Sequence, residues 1–227
     1  MHAWEIVWSQ RDVLASGFGN TLQLFILSTL IAFSTGVLAL WALEGPANPL
    51  RSALRILVDG MRMMPFLIYA YLLYYGLPEV GVRLDAWTAG LIALATYHAA
   101  YFAEILRGAR AVLSRGQFEA ARAHGYTTGL MVRRILLPQL VLRSGPLLGN
   151  QLIICLKDSA FLTIITVKEL TGSASAVQST FFIQVQAFVV EIGLYWLVSL
   201  LIESLVSSLG RLAQTRGLGY EQATTRR

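Results

Sequence analysis

The sequence has one cysteine, Cys155, set in an apolar run, which excludes an internal disulfide framework and any CxxC-type metal site. Charge is also scarce. Charged residues make up 14% of the chain and hydrophobic residues 56%, whereas soluble domains carry about 25% charged residues. Such a composition belongs to a membrane protein. A GxxxxGK[ST] loop is missing, so the chain does not bind ATP by that means. HExxH is missing too, and no set of Ser, His and Asp has a soluble framework to hold it. The run from Gly17 to Leu22 leads into an apolar span, not a βαβ unit, so it is no nucleotide fingerprint. A net charge of +5 raises nucleic acid as a partner. The arginines, however, gather in loops beside apolar spans, where orientation in a membrane accounts for them, and no nucleic-acid partner is expected. The first residues carry Glu5 and Asp12 and no basic run, so a cleavable leader is not expected and the first span serves as insertion signal.

What is present is a series of long apolar runs. Residues 1–17 form an N-terminal interfacial segment, with Trp4, Ile6, Val7 and Trp8 suited to a membrane surface. Residues 18–209 form the transmembrane domain and 210–227 a tail. The expected spans are 18–43, 56–76, 87–106, 140–167 and 182–209, each long enough to cross a hydrocarbon core that needs about 20 residues. The fold class is therefore all-α, a polytopic membrane protein with five transmembrane helices. The second span starts awkwardly, with Asp59, Arg62 and Pro65 in its first turns. The fourth is interrupted by Lys157-Asp158-Ser159, and residues 168–179 read as an external loop. Arg51, Arg55, the arginines around the central loop and those of the tail fall on one side, against Arg11, Arg83 and Lys168 on the other. This asymmetry puts the N-terminus outside and the C-terminus in the cytoplasm.

The central loop, about residues 112–138, carries Arg115, Arg122, Arg133 and Arg134 against the single acid Glu119, and cannot lie in hydrocarbon. Its spacing predicts a short helix over 117–124 whose Ala120 and Ala121 let a partner approach closely. Gly125 ends that helix where a left-handed conformation is cheap. A second short helix follows over 130–137, with Ile135 and Leu137, and Pro138 marks the turn into the next span.

Ionisable residues inside spans are functional candidates by default, with snorkelling or structural pairing as the plainer alternative. Asp59 and Arg62 are spaced to pair on one helix side, and Glu104 can pair with Arg107 or Arg110. Lys157 and Asp158, being adjacent, point to different helix sides. With Ser159 nearby, Asp158 suits a substrate ammonium or guanidinium and Lys157 a carboxylate; the alternative is an interhelical ion pair that fixes packing. His98, between Tyr97 and Tyr101, reads as a hydrogen-bonded packing residue or as part of the path. Glu203 reads as structural, and Glu191 has no partner visible in the sequence.

The central loop, with Glu119-Ala120-Ala121, Gly125, Ile135, Leu137 and Pro138, resembles the EAA loop of bacterial ABC importer permeases. Arg62-Met63-Met64-Pro65, Tyr74 to Pro78, Ala100 to Gly108, Leu148 to Gln151 and Leu156 to Ser159 resemble further elements of the polar amino acid uptake family. The likeness runs from Gly17 to Leu209. It implies the type I ABC importer permease fold and a place in the inner membrane. It also implies an ATP-binding subunit docked on the loop, a second permease subunit (identical or homologous), an extracytoplasmic binding protein and an amino acid substrate. ATP and Mg would be held by the partner subunit, with no catalytic residues, metal or cofactor in this chain. The path residues expected are Lys157, Asp158, Ser159, Arg62, Pro65 and His98. Met63-Met64, His124 and Ala160-Phe161 depart from the family pattern, so no substrate identity is carried over. The rival readings are a permease for a non-amino-acid solute, a non-transporting scaffold or sensor that docks an ATPase, and an intramembrane enzyme.

Overall fold

The computed structural model describes residues 3–44, 48–114, 116–183 and 185–215. Gly45 and Pro46 after the first expected span, Arg115 of the central loop and Arg216, Arg226 and Arg227 of the tail lie outside the described residues. Among the described residues the chain is helical and holds no strand. Its helices are α1 (Ala3–Ser9), α2 (Arg11–Leu43), α3 (Pro49–Met63), α4 (Phe66–Tyr71), α5 (Ala86–Ala111), α6 (Gly116–Ala123), α7 (Thr128–Met131), α8 (Leu137–Arg143), α9 (Gly145–Asp158), α10 (Leu170–Phe181) and α11 (Gln186–Thr215). By length and composition four stretches can cross a membrane: Arg11–Leu43, Ala86–Ala111, Gly145–Ile165 and Gln186–Arg211. The pair Pro49–Met63 and Phe66–Val80, bent by 109° at its break, makes a fifth if it is counted as one span.

Helix α2 is apolar all round, as a helix in lipid must be, so its packing is set by side-chain size. Its buried stripe is Leu14, Gly17, Thr21, Leu24, Ser28, Ala32, Gly36 and Leu40, small residues alternating with leucine at three- and four-residue steps. From Leu24 to Leu40 it runs along the most extensive helix seam among the described residues, that of α2 with α5, while Leu14, Gly17 and Thr21 meet α10. At Gly36 an added Cβ would lie 2.9 Å from Phe102 Cβ, 3.0 Å from Ala103 N and 3.1 Å from Ala99 O, so only glycine permits this approach. Helix α5 begins at Asp85, whose carboxylate accepts the Thr88 N–H at 3.0 Å. The same residue's hydrogen bonds hold the Asp85 carboxyl below its ordinary value. Alanine-rich and buried along most of its length, α5 is the central helix.

The broken span has a local cause. Asn48 caps α3 by accepting the Arg51 N–H at 2.8 Å, and Pro49 occupies the first turn. Met64 is extended, as a residue before proline prefers, and Pro65 then starts α4 without an N–H to pair.

Three expectations are corrected. Pro138 does not turn the chain: a π-helical turn over Val132–Leu136 precedes it and α8 carries it on to Arg143. The wider turn accommodates the proline ring, and the real break comes at Ser144, ahead of Gly145 and Pro146. Residues 168–179 are not a loop but mostly helix α10, capped by Glu169 and packed on α2 and α11. The helix of the first expected span, α2, is also longer than expected, starting at Arg11.

Candidate functional site

Two regions gather the residues singled out in the sequence. The first is the segment from α6 to α8. Helix α6 ends at Gly125, φ +73°, with Gly125 N–H donating to Arg122 O at 2.9 Å and Tyr126 N–H to Ala121 O at 3.1 Å. These are the paired bonds of a Schellman motif, which satisfies the last carbonyls of a helix through one left-handed residue. Thr127 then caps α7 through the Leu130 N–H. Glu119 and Ala120 face outward, whereas Ala121 is buried in a cluster with Leu106, Leu113, Met131, Leu136 and Leu140. Ala121 therefore serves the chain's own packing, whereas Ala120 stays exposed. A cleft of about 590 Å³ opens beside them, lined by Gln117, Ala120, Ala121, His124, Tyr126, Ile135 and Gln139. Leu137 is half-buried and Pro138 exposed. Through Leu106 the cluster joins this segment to α5.

The second region surrounds the break at Pro65. Breaking the helix frees carbonyls, and two tyrosines of α5 take them up: Tyr101 Oη donates to Arg62 O at 3.1 Å and Tyr97 Oη to Met64 O at 2.9 Å. Their hydroxyls lie 3.2 Å apart. The Arg62 guanidinium stands 5.9 Å from the Tyr101 ring centroid and pairs with Asp59 at 3.6 Å and Glu104 at 3.7 Å. Glu104 also pairs with Arg107 through both carboxylate oxygens. Arg62 thus ties the Pro49–Met63 half of the bent pair to α5. Pro65 is exposed beside it.

Behind the tyrosines lies His98, 0% exposed. Gln151 Nε2 donates to His98 Nδ1 at 2.7 Å, and His98 Nε2 lies 3.4 Å from Asp158 Oδ2. Lys157 and Asp158 do diverge: Lys157 is exposed, while the Asp158 side chain is 15% exposed and turned toward His98. Ser159 is buried and donates to Leu156 O at 2.7 Å, which occupies its hydroxyl in the step from α9 into the tighter 3-10 turn over Ser159–Ile165. The structure therefore brings His98 and Asp158 together and holds Arg62 and Pro65 nearby through Tyr97 and Tyr101. Lys157 and Ser159 stand apart from that pair.

Several residues here were not visible in the sequence reading. Gln151 precedes Asp158 by seven residues, two helical turns, and that shared face was the available signal. Glu169 is 0% exposed; its carboxylate accepts the Thr171 and Gly172 N–H groups at 2.7 Å each, and the Tyr195 hydroxyl donates to it at 3.2 Å. Glu191 finds its partner in the Thr171 hydroxyl at 2.6 Å. No local signal marks that contact, because α10 and α11 meet only in the folded chain.

Comparison with known proteins places this geometry. The family model described as binding-protein-dependent transport system inner membrane component matches residues 32–214. The probable glutamine ABC transporter permease protein GlnM of Bacillus subtilis is 31% identical over 193 residues, covering 85% of this chain and 89% of that protein. The nopaline transport system permease protein NocM of Agrobacterium fabrum is 34% identical over 205 residues, covering 85% of this chain and 84% of that one. A solved structure, the crystal structure of an amino acid ABC transporter with histidines, superposes with a TM-score of 0.81 at 29% identity, covering 93% of this chain and 98% of that chain. The all-helical bundle with one broken span, the capped α6 segment and these matches lead to one conclusion: the chain belongs to the binding-protein-dependent transport system inner membrane components, the permease subunits of ABC transporters.

Proposed function

We propose that the chain is the permease subunit of an importer for a polar amino acid or a related compound. In this reading residues 112–138 lie in the cytoplasm, the N-terminus is outside and the tail inside, because the arginines gather on that side. An ATP-binding subunit, which holds ATP and Mg, docks on Glu119, Ala120 and Gly125, with Ile135, Leu137 and Pro138 transmitting its movement. A second permease copy or homologue completes the path, and an extracytoplasmic binding protein delivers the solute. ATP-driven closure of the ATPase pair rocks the spans between two states.

The observation that carries this reading is the outward Glu119–Ala120 face of a short capped helix joined through a packed cluster to the central helix α5. Asp158 is the proposed contact for the solute's cationic group, since its carboxylate keeps part of its surface open and stands 3.4 Å from the buried His98. Lys157, Arg62 and Pro65 border the same path, and the buried His98 and Ser159 lie behind it. The test is reconstitution with the ATPase and the binding protein in liposomes, following ATP-dependent uptake of radiolabelled amino acids. Uptake by the wild type and its loss in Asp158→Ala, with the ATPase still bound, is the expected result. Uptake of no amino acid by a well-assembled complex would overturn the reading in favour of another solute.

A further inference from the structure

His98 combines three features that packing alone does not require. It is 0% exposed, its ring lies among Phe66, Tyr97 and Tyr101, and its two nitrogens face two different polar groups of α9. With the Gln151 amide nitrogen turned to it at 2.7 Å, Nδ1 of a neutral His98 ring accepts and the ring proton sits on Nε2. That Nε2–H is buried, has no hydrogen-bond partner, and stands 3.4 Å from Asp158 Oδ2. A buried donor left unpaired is costly, so the site holds a hydrogen bond that is nearly but not fully made. Asp158 lies where α9 changes into the 3-10 turn.

We propose that His98 and Gln151 are positioning residues that act through Asp158: Gln151 fixes the His98 tautomer, and the His98 Nε2–H takes one Asp158 oxygen, leaving the other for an ammonium or guanidinium group of the solute. This rests on the reading of Asp158 as the solute contact. Neither His98 nor Gln151 touches the solute. The solute class is then one with a cationic group, and an acid lacking an amino group is not accepted.

The test uses the complete complex in liposomes, with a radiolabelled mixture of the protein amino acids as probe. Co-purification of the ATPase is the assembly control. His98→Phe keeps the ring volume and removes the donor. Half-saturating loaded binding protein should rise about tenfold, as expected for a lost hydrogen bond to a charged group. His98→Gln, which offers a donor again, should recover most of the loss. Asp158→Asn should be impaired at least as much as His98→Phe, and the double variant should be no worse than Asp158→Asn alone. In ¹⁵N-histidine spectra the buried histidine should show the Nε2–H tautomer, and Gln151→Leu should release it to a mixture. If His98→Phe behaves as wild type while Asp158→Asn is impaired, or if the two losses simply add, the positioning role is wrong. If Asp158→Asn is itself unimpaired, or if the wild type takes up nothing, the reading of Asp158 falls and this inference with it.

Discussion

Gly125 separates backbone from steric requirements in the segment proposed to meet the ATPase. Its φ is +73°, and a Cβ built there meets nothing within 4 Å, so any substitution is penalised through the backbone alone. For alanine the left-handed conformation costs about 1–2 kcal/mol, for asparagine less, and for a β-branched residue more. A cost of that size shifts the closed Schellman turn by a factor of about 5–30. What is lost is specific: the Tyr126 N–H releases Ala121 O, Tyr126 leaves the cluster around Leu136 and Leu140, and the end of α6 frays. In membranes, co-purified ATPase and ATP-dependent uptake should fall in the order Gly125, Asn, Ala, Val, with insertion unchanged. Equal docking and uptake in Gly125→Val and wild type would refute both the strain argument and the coupling role. A graded loss that followed side-chain volume, with asparagine worse than alanine, would refute the strain argument alone.

Gly36→Leu should part α2 from α5, because two of the three closest atoms to its Cβ are backbone. Overpacking of this kind costs about 1–3 kcal/mol, so the melting temperature in detergent should drop clearly, less for Gly36→Ala; no change would contradict the seam. Glu169→Ala removes the cap of α10 and leaves two N–H groups without it, at about 2 kcal/mol, readable in the same assay. Tyr97→Phe and Tyr101→Phe each strand a carbonyl at the helix break. Backbone hydrogen exchange over 62–66 should quicken in both, and unchanged exchange would show that the tyrosines do not hold the break. The Asp85 cap makes stability depend on acidity. The Thr88 hydrogen bonds lower the carboxyl from its ordinary 3.8, so its contribution is full above that value and disappears as pH falls through the lowered one. The melting temperatures of wild type and Asp85→Ala should differ at neutral pH and converge in strong acid.

Much of this protein was legible in the sequence because the relevant physics is local. Apolar runs set the span lengths, since hydrocarbon demands internally paired backbone, and Pro65 announced the awkward second span. Gly125 announced the end of α6 for the same kind of reason: a left-handed turn needs glycine whatever surrounds it. The pairs Asp59–Arg62 and Glu104–Arg107 followed from helical spacing. Pro138 misled because its effect depends on the turn before it, and a π-helical turn absorbed the ring without ending the helix. The polar stretch 168–179 misled because small polar residues suit either a loop or a close helix contact, and only packing against α2 and α11 chose the helix.

What the tertiary structure alone decided is how distant residues pair. The His98–Gln151 and His98–Asp158 contacts, the tyrosine hydroxyls on the freed carbonyls of Arg62 and Met64, and the Glu169 and Glu191 contacts to Tyr195 and Thr171 join residues on separate helices. Periodicity reports which face of a helix is apolar, but in a helix apolar all round it carries no information about its neighbour. The choice of neighbour is made by side-chain size and by buried polar groups finding one another, and both depend on the whole bundle being assembled.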